Sequence, residues 1–284
     1  MLLFFLMGIA TLAHLPHLQA PISHVSERHI HGQIGFDKLK VTDIIIGVEP
    51  YERVISQDIL IDMRVMLDLQ KVTQTDDLTD TVDYVKLADL AKVEADQGKH
   101  FFIDTLAIDI IQKTFETYPE VDEVTIRIQK PKALPNAKSG GLVEISISRD
   151  QFENSDQLFG QIGFEDLYIY TIIGDLQEER DNQQDLFVNL KATVDLKHLK
   201  IANDIDSTVN YVEMAQIFEK IAKDGEYYMF ETLAVKYLEA LQKRFPQIVD
   251  AHVKIRKPGT LPSYPFKNDA ITEVHLKDIQ QGGN

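Results

Sequence analysis

The residues best suited to chemistry in this sequence form two sets of four, and each residue of the second set lies 127 positions after its counterpart. The first set is Glu52, Tyr84, Asp104 and Lys130. The second set is Glu179, Tyr211, Glu231 and Lys257. A carboxylate accepts two parallel N–H bonds from an amidine-like edge, and a lysine amine or tyrosine hydroxyl can transfer protons. These residue types therefore predict acid–base chemistry on a polar small molecule.

Each of these residue types also has an ordinary structural interpretation. An acidic residue in the first turn of a helix complements the helix dipole, and a glutamate beside an arginine at a turn is usually a surface residue. A lysine before proline at a strand end is commonly solvated, and a tyrosine at the start of an amphipathic helix often only caps the core. The recurrence of the whole pattern favours a functional interpretation.

The sequence contains an internal repeat that spans most of its 284 residues. Gly32-Gln33-Ile34-Gly35-Phe36 recurs as Gly160-Gln161-Ile162-Gly163-Phe164, an offset of 128 residues that becomes 127 after one deletion. Thr105-Leu106-Ala107 then matches Thr232-Leu233-Ala234 at the shorter offset. We expect a leader at 1–32, a first domain at 33–150, a linker at 151–159 and a second domain at 160–280.

Within each copy the hydrophobic pattern changes in the same order. Residues 34–69 contain two runs rich in Ile, Val and Leu, which are typical of long antiparallel strands. Residues 83–97 and 102–118 carry apolar side chains at helical spacing, and 124–129 and 142–148 alternate as strands do. The pattern predicts an α+β fold of two ββααββ units, each an antiparallel sheet with its helices on one face. The exposed sheet edges would associate into a ring, partly within one chain.

Composition excludes several classes of function. The formal net charge is −16, from 45 acidic and 29 basic side chains, and such a surface repels nucleic acid and anionic lipid. The chain contains no cysteine, so it has no disulfide, thiolate nucleophile or Cys-ligated metal. We therefore expect a cytoplasmic protein that binds neither nucleic acid nor, stably, a membrane.

The apolar run from Leu2 to Leu15 leaves three interpretations open. It is shorter than the roughly 20 apolar residues of a spanning helix, and no Lys or Arg precedes it. We expect an upstream extension or misassigned start, with a targeting segment and a membrane anchor as the alternatives.

The order of the motifs resembles the dihydroneopterin aldolase family, and it does so twice. Glu-Arg follows the first turn, Asp-Tyr or Asn-Tyr precedes the first long helix, and (Asp/Glu)-Thr-Leu-Ala opens the second. Lys-Pro then ends the third strand in both copies. The resemblance implies the tunnelling fold, whose ββααββ units assemble into homo-oligomeric rings or stacked rings with active sites at subunit interfaces.

The resemblance also implies a role for each residue of the two sets. Asp104 and Glu231 correspond to the carboxylate that anchors the pterin, and Lys130 and Lys257 to the family's catalytic lysine. Tyr84 and Tyr211 correspond to a tyrosine that reaches ligand across an interface and shares in proton transfer. Glu52 and Glu179 correspond to the acidic residue that orients the substrate's side-chain hydroxyls.

The implied activity is that of an aldehyde-lyase of folate biosynthesis, which cleaves 7,8-dihydroneopterin without a metal or other cofactor. Two alternatives stay open: a dihydroneopterin triphosphate epimerase, and a pterin-binding or structural module that has lost its chemistry. Two departures from the family pattern motivate the last alternative. Asp104 is one methylene shorter than glutamate, and copy two has Lys267-Asn268-Asp269-Ala270 where copy one has Ser139-Gly140-Gly141-Leu142.

His24, His29 and His31 are the residues whose types could form a metal site. Their spacing resembles the paired histidines of zinc-dependent members of the same fold. They precede the first strand and have no counterpart in copy two, so we expect no metal site there.

Overall fold

The two copies form one continuous antiparallel sheet of eight strands. The computed structural model describes residues 29–47, 50–98, 100–200, 209–260 and 268–281. The strands are β1 (His31–Ile44), β2 (Gln57–Asp68), β3 (Val121–Lys130), β4 (Gly141–Ser148), β5 (Phe159–Thr171), β6 (Gln184–Asp195), β7 (Ile248–Lys257) and β8 (Ala270–His275). They lie in the sheet in chain order, so that β1 and β8 form its two edges.

Helices cover one face of this sheet. They are α1 (Gln70–Thr75), α2 (Tyr84–Asp96), α3 (Ile103–Thr117), α4 (Arg149–Asn154), α5 (Gln177–Asp181), α6 (Tyr211–Asp224), α7 (Phe230–Arg244) and α8 (Leu276–Gln281). Single-turn 3₁₀ helices lie at Pro50–Arg53, Leu78–Asp80, Pro131–Ala133 and Lys197–Lys200. Helices α2 and α3 pack on copy one, and α6 and α7 pack on copy two. The predicted pair of ββααββ units is confirmed.

The alternation of side chains along the strands explains this arrangement. Every second residue of β2 is buried, from Gln57 to Leu67, because neighbouring side chains of a strand point to opposite faces. Leu106 and Ile110 of α3 are fully buried against that face. The long helices begin where they do because Asp83 and Asn210 cap them, each accepting a backbone N–H from the second residue of its helix.

One of the two β-bulges in β1 accounts for the change in the repeat offset. The first occurs in both copies, where Lys38 and Asp166 have positive φ and their N–H groups donate to Asp62 and Asn189. The second lies between Val41 and Ile44 and contains Asp43 at φ 63°. In copy two, β5 pairs with β6 without a bulge at the corresponding point. The residue deleted from copy two is therefore the extra residue of this second bulge.

The predicted linker contains an ordered helix. Ser148 and Gln151 form a capping box at the start of α4. The Arg149 guanidinium donates to three backbone carbonyls, those of Phe115, Tyr118 and Val121. Strand β1 begins at His31, two residues before the expected start of the first domain, and β5 begins at Phe159.

The seam between the copies is a direct strand pairing of β4 with β5, joining Leu142, Val143 and Glu144 to Gly163, Ile162 and Gln161. The contact continues beyond these pairs, where the Tyr168 N–H donates to the Asn136 carbonyl at 2.8 Å. Two ion pairs cross the seam: Arg127 to Glu165 at 2.7 Å and Lys191 to Glu144 at 3.2 Å. The expectation that edge association would be partly intramolecular is confirmed.

None of the helices in the described ranges is long and apolar enough to cross a lipid bilayer. The apolar run from Leu2 to Leu15, with the rest of the expected leader up to residue 28, lies outside the described residues.

Tyr237 offers a test of the core of copy two. Its side chain is fully buried and stacks on Phe218, with the two ring centroids 4.0 Å apart. Its hydroxyl has no hydrogen-bond partner among the described residues. Copy one has Ile110 at the same position of the repeat. Because a buried hydroxyl without a partner costs about 1–3 kcal/mol, Tyr237→Phe should leave the free energy of unfolding unchanged or raise it by about 1 kcal/mol. Urea unfolding would measure this.

Tyr237→Ala is the matched comparison, because it removes the ring as well and should cost about 3–5 kcal/mol. A Tyr237→Phe variant as unstable as Tyr237→Ala would show that the hydroxyl is hydrogen-bonded after all.

Candidate active site

A buried ion pair joins the lysine and the glutamate of the first set. Lys130 is the last residue of β3, and its ammonium group donates to Glu52 in the 3₁₀ turn before β2. The two side chains are only 4% and 9% exposed. Removing one partner of such a pair leaves an uncompensated buried charge, which typically costs about 3–5 kcal/mol. The pair therefore holds the lysine nitrogen at one place against the turn.

Copy two contains the same pair. Lys257 Nζ lies 2.5 Å from Glu179 Oε1, and it also donates to the Ile173 carbonyl at 3.2 Å. The second carboxylate oxygen of Glu179 accepts the backbone N–H of Leu176 at 3.1 Å. Although the buried carboxylate is partly desolvated, which opposes ionisation, hydrogen bonds from Lys257 and Leu176 keep the pKa of Glu179 below its usual value.

A glycine makes room for each glutamate. Gly47 and Gly174 have φ values of 151° and 134°, which side chains rarely adopt. A Cβ atom would lie 2.3 Å from Glu52 Oε2 at the first position and 2.1 Å from Glu179 Oε2 at the second. The conservation of this glycine between the two copies is thus explained by the glutamate that it faces.

The arginine after each glutamate ties the turn to the segment that leads into the next long helix. Arg53 Nη1 donates to the His100 carbonyl at 3.0 Å, and Arg180 Nη1 donates to the Tyr227 carbonyl at 3.1 Å. In both copies the guanidinium also lies over the aromatic ring of the residue after that carbonyl. Its carbon is 4.2 Å from the ring centroid of Phe101 in copy one and 4.5 Å from that of Tyr228 in copy two. No role was predicted for these arginines, although their recurrence at the same position of the repeat is a signal that the sequence carries.

The proposed anchoring carboxylates occupy the same place in the fold but differ in exposure. Asp104 and Glu231 are each the second residue of a long helix, α3 and α7. Asp104 is 3% exposed, whereas Glu231 is exposed. Helix α3 lies against the 3₁₀ helix Lys197–Lys200 of copy two, while α7 contacts α6, α8, β7 and β8, all from its own copy. The helix that carries Asp104 therefore contacts copy two, whereas the main contacts of the helix that carries Glu231 lie within its own copy.

The tyrosine beside the first lysine comes from the second copy. Tyr211, the first residue of α6, packs its ring on Gly141, which pairs with Lys130 in the sheet. A Cβ atom on Gly141 would lie 2.3 Å from the ring. Tyr84, the corresponding residue of copy one, is 59% exposed at the outer side of the chain. The structure thus places Tyr211, and not Tyr84, against the strand that pairs with Lys130, so this grouping crosses the two sequence-defined sets.

The sheet register also revises the alignment at the last hairpin. Lys130 pairs with Gly141, and Lys257 pairs with Ala270. Ala270 therefore corresponds to Gly141, not to Leu142 as the ungapped comparison indicated. The substitution between the copies is Gly to Ala at the residue that contacts the tyrosine. Residues 261–267 lie outside the described residues.

The amino-terminal histidines contact acidic residues. His29 Nδ1 lies 2.8 Å from Asp68 Oδ2, and the ring centroids of His29 and His31 are 6.2 Å apart. Within the described part of the chain, no three His, Asp or Glu side chains are arranged as metal ligands. His24 lies outside the described residues.

Comparison with known proteins agrees with the repeat. The family model described as dihydroneopterin aldolase matches the chain twice, at residues 36–147 and 162–272. These two matches cover nearly all of both copies.

Among curated relatives, the dihydroneopterin aldolase of Bacillus subtilis is 33% identical over 113 residues, which are 40% of this chain and 94% of that protein. The folic acid synthesis protein of Dictyostelium discoideum is 30% identical over 123 residues, 42% of this chain but only 18% of the relative's length. A dihydroneopterin triphosphate 2'-epimerase of Pseudomonas aeruginosa is 26% identical over 101 residues, 36% of this chain and 81% of that protein.

Among solved structures, a uricase from Bacillus fastidious matches the whole architecture. The TM-score is 0.62, with 90% of this chain and 96% of the uricase covered. The sequence identity is 12%, so the likeness shows the fold alone.

The ion pair of copy two predicts a dependence of stability on pH. Because the folded-state pKa of Glu179 lies below the usual value of 4.5, its stabilising contribution is present at neutral pH and is lost as the pH falls below about 4.5. Glu179→Gln should therefore lower the free energy of unfolding at pH 7 by up to about 3 kcal/mol, because the charge of the buried Lys257 loses its partner. The difference from the wild type should shrink towards pH 3, as measured by urea unfolding across this range. The neighbouring exposed residue provides the control, and a Glu178→Gln variant with the same pH profile would exclude the pair as the cause.

Proposed function

The chain belongs to the dihydroneopterin aldolase family and carries two copies of its domain, and on this premise we propose that it is a lyase that cleaves 7,8-dihydroneopterin. The products are 6-hydroxymethyl-7,8-dihydropterin and glycolaldehyde. The proposal assigns one domain to residues 33–150 and the other to 160–280.

The observation that supports this activity most strongly is the buried Lys130–Glu52 pair with Tyr211 beside it at the seam. A buried amine, and a phenol whose ring packs on the strand beside it, can take and return protons at a substrate that enters between the copies. Copy two repeats the lysine–glutamate pair with Lys257 and Glu179. Ion pairs kept in both copies at such a desolvation cost favour a functional role over a purely structural one.

The reaction is a retro-aldol cleavage. A base removes the proton of the 2' hydroxyl, the C1'–C2' bond breaks, and C2' leaves as the aldehyde carbon of glycolaldehyde. The electron pair of the broken bond passes to C1' and into the N5=C6 imine of the dihydropterin, and proton return to C1' restores the imine. The substrate supplies its own electron sink, so the reaction as written needs no Schiff base and no cofactor.

We assign proton transfer to Lys130 or Lys257 together with Tyr211 or Tyr84. Glu52 and Glu179 orient the side-chain hydroxyls of the substrate. Asp104 and Glu231 anchor the pterin, since a carboxylate matches the two parallel N–H groups of its 2-amino and N3 edge. Holding the ring at one end and the lysine at the other fixes the reacting bond near the base.

The epimerase relative supports a second candidate reaction. Epimerisation at C2' can use the same bond cleavage if glycolaldehyde stays bound and adds back through its other face. The aldolase releases glycolaldehyde from the site, whereas the epimerase retains it and re-forms the bond. A chain that binds pterin but releases and epimerises nothing is the third possibility.

The decisive measurement is glycolaldehyde release from 7,8-dihydroneopterin by the full chain. We expect release by the wild type and a loss of about 100-fold or more in the Lys130→Ala, Lys257→Ala double variant, because both proton-transferring amines are gone. The two single variants apportion the activity between the copies.

Lys132→Ala is the matched control, because Lys132 is exposed and lies two residues from Lys130. Circular dichroism melting separates lost chemistry from lost folding, which matters at a buried ion pair. Full turnover in the double variant would make the lysine assignment wrong. Bound pterin with an epimerised product and no glycolaldehyde would select the epimerase instead.

A further inference from the structure

A buried histidine joins the segment before α3 to the helix itself. The His100 side chain is only 4% exposed, and its Nε2 atom lies 3.0 Å from Asp109 Oδ2. Because an ionised carboxylate only accepts hydrogen bonds, Nε2 carries the proton and donates it. Asp109 is the seventh residue of α3, whereas His100 precedes that helix. The imidazole therefore ties the entry segment to the helix into which it leads.

The backbone of the same residue holds the turn that carries Glu52. The His100 carbonyl accepts Arg53 Nη1 at 3.0 Å, and the Arg53 guanidinium lies over the ring of Phe101. Glu52, the residue before this arginine, accepts the ammonium group of Lys130. A continuous chain of contacts thus runs from the lysine nitrogen through the turn to α3, and His100 makes two of its links.

Copy two repeats the backbone part of this chain with a different pair of side chains. The Tyr227 carbonyl accepts the arginine of its own turn in the same way, at 3.1 Å. The repeat offset of 127 places Tyr227 at the position of His100 and Lys236 at the position of Asp109. Lys236 donates to Glu239 on its own helix, at 2.7 Å. The link between an imidazole and a carboxylate is therefore specific to copy one.

The chain of contacts joins two places whose separation matters for the proposed reaction. Its lysine end is the seam site, by which we mean Glu52, Lys130 and Tyr211. Its other end is α3, the helix that carries Asp104, to which the proposed function assigns the pterin. A base accelerates a reaction only when it is held at the right distance from the bound substrate, and a displacement of about 1 Å can cost about 100-fold in rate.

We propose that His100 and Asp109 form a positioning pair of copy one, which fixes the Glu52 turn against α3 and thereby sets the place of the Lys130 amine. The pair acts through Arg53 and Glu52, and not on the substrate. Its consequence for turnover rests on the proposed function, whereas the mechanical coupling of the turn to the helix does not.

Turnover of 7,8-dihydroneopterin tests the pair in a Lys257→Ala background, which lacks the proposed proton-transferring amine of copy two. His100→Leu fills the buried volume but removes the donor, and we expect kcat to fall about 10-fold or more, with KM changed by less than about 3-fold. His100→Gln carries an amide N–H that can reach Asp109, so it should restore most of the turnover. Circular dichroism melting gives the folded fraction by which kcat is corrected. Equal losses in the two variants, or no loss in either, would overturn the positioning role.

A double-mutant cycle tests whether the two residues act as a pair. Asp109→Leu should lower kcat about as much as His100→Leu does, and the double variant should be no slower than either single variant, because all three lack the same hydrogen bond. Glu116→Leu is the matched control, since Glu116 is an exposed carboxylate about two turns further along α3. Losses that multiply in the double variant, or an equal loss in Glu116→Leu, would contradict a direct pair.

Hydrogen exchange tests the mechanical coupling without substrate. In His100→Leu, well below its melting temperature, we expect faster exchange in the turn that carries Glu52 and in the first turn of α3. The corresponding turn of copy two, α5, is the internal reference and should exchange as in the wild type. Unchanged exchange in both segments of copy one would overturn the positioning pair. The expected exchange pattern in a protein whose wild type releases no glycolaldehyde would instead refute the proposed function and leave the pair standing.

Discussion

The pairing of β4 with β5 is the interaction on which the rest of this structure depends. Only three residue pairs form the ladder, but they convert two four-stranded sheets into one sheet of eight. The seam also brings the 3₁₀ helix Lys197–Lys200 of copy two against α3, the helix in which Asp104 is buried. Because β6 and α6 follow β5 in the same copy, the pairing sets the position of Tyr211 as well. The composition of the seam site is therefore a consequence of strand order.

The duplication provides an internal comparison that a single domain lacks. Three features occur in both copies with the same geometry: the buried lysine–glutamate pair, the glycine that faces the glutamate, and the arginine that binds the next backbone segment. Each feature joins residues of a single copy, so it does not depend on contacts with the other copy. These three features are therefore intrinsic to the single ββααββ unit.

The differences between the copies arise where one domain meets another. The ring of Tyr211 packs on Gly141 of copy one, and Asp104 is buried whereas Glu231 is exposed. The tandem chain holds one such junction internally, and β1 and β8 form the two edges of its sheet. The copies also differ at the residue paired with the lysine, which is glycine at 141 and alanine at 270.

The sequence by itself determined the local and repeated features of this protein. The repeat, the two ββααββ units and the family were predictable, because hydrophobic period, turn residues and motif order are local properties that a chain displays along its length. The one-residue change of offset was visible, but its nature as a bulge at Asp43 was not, since a bulge is defined by the partner strand. Likewise, the sequence grouped Tyr84 with Lys130, whereas the structure places Tyr211 beside that lysine's strand. Spacing records position within one domain, but contacts between domains follow from which strand edges pair, and only the tertiary structure decided that.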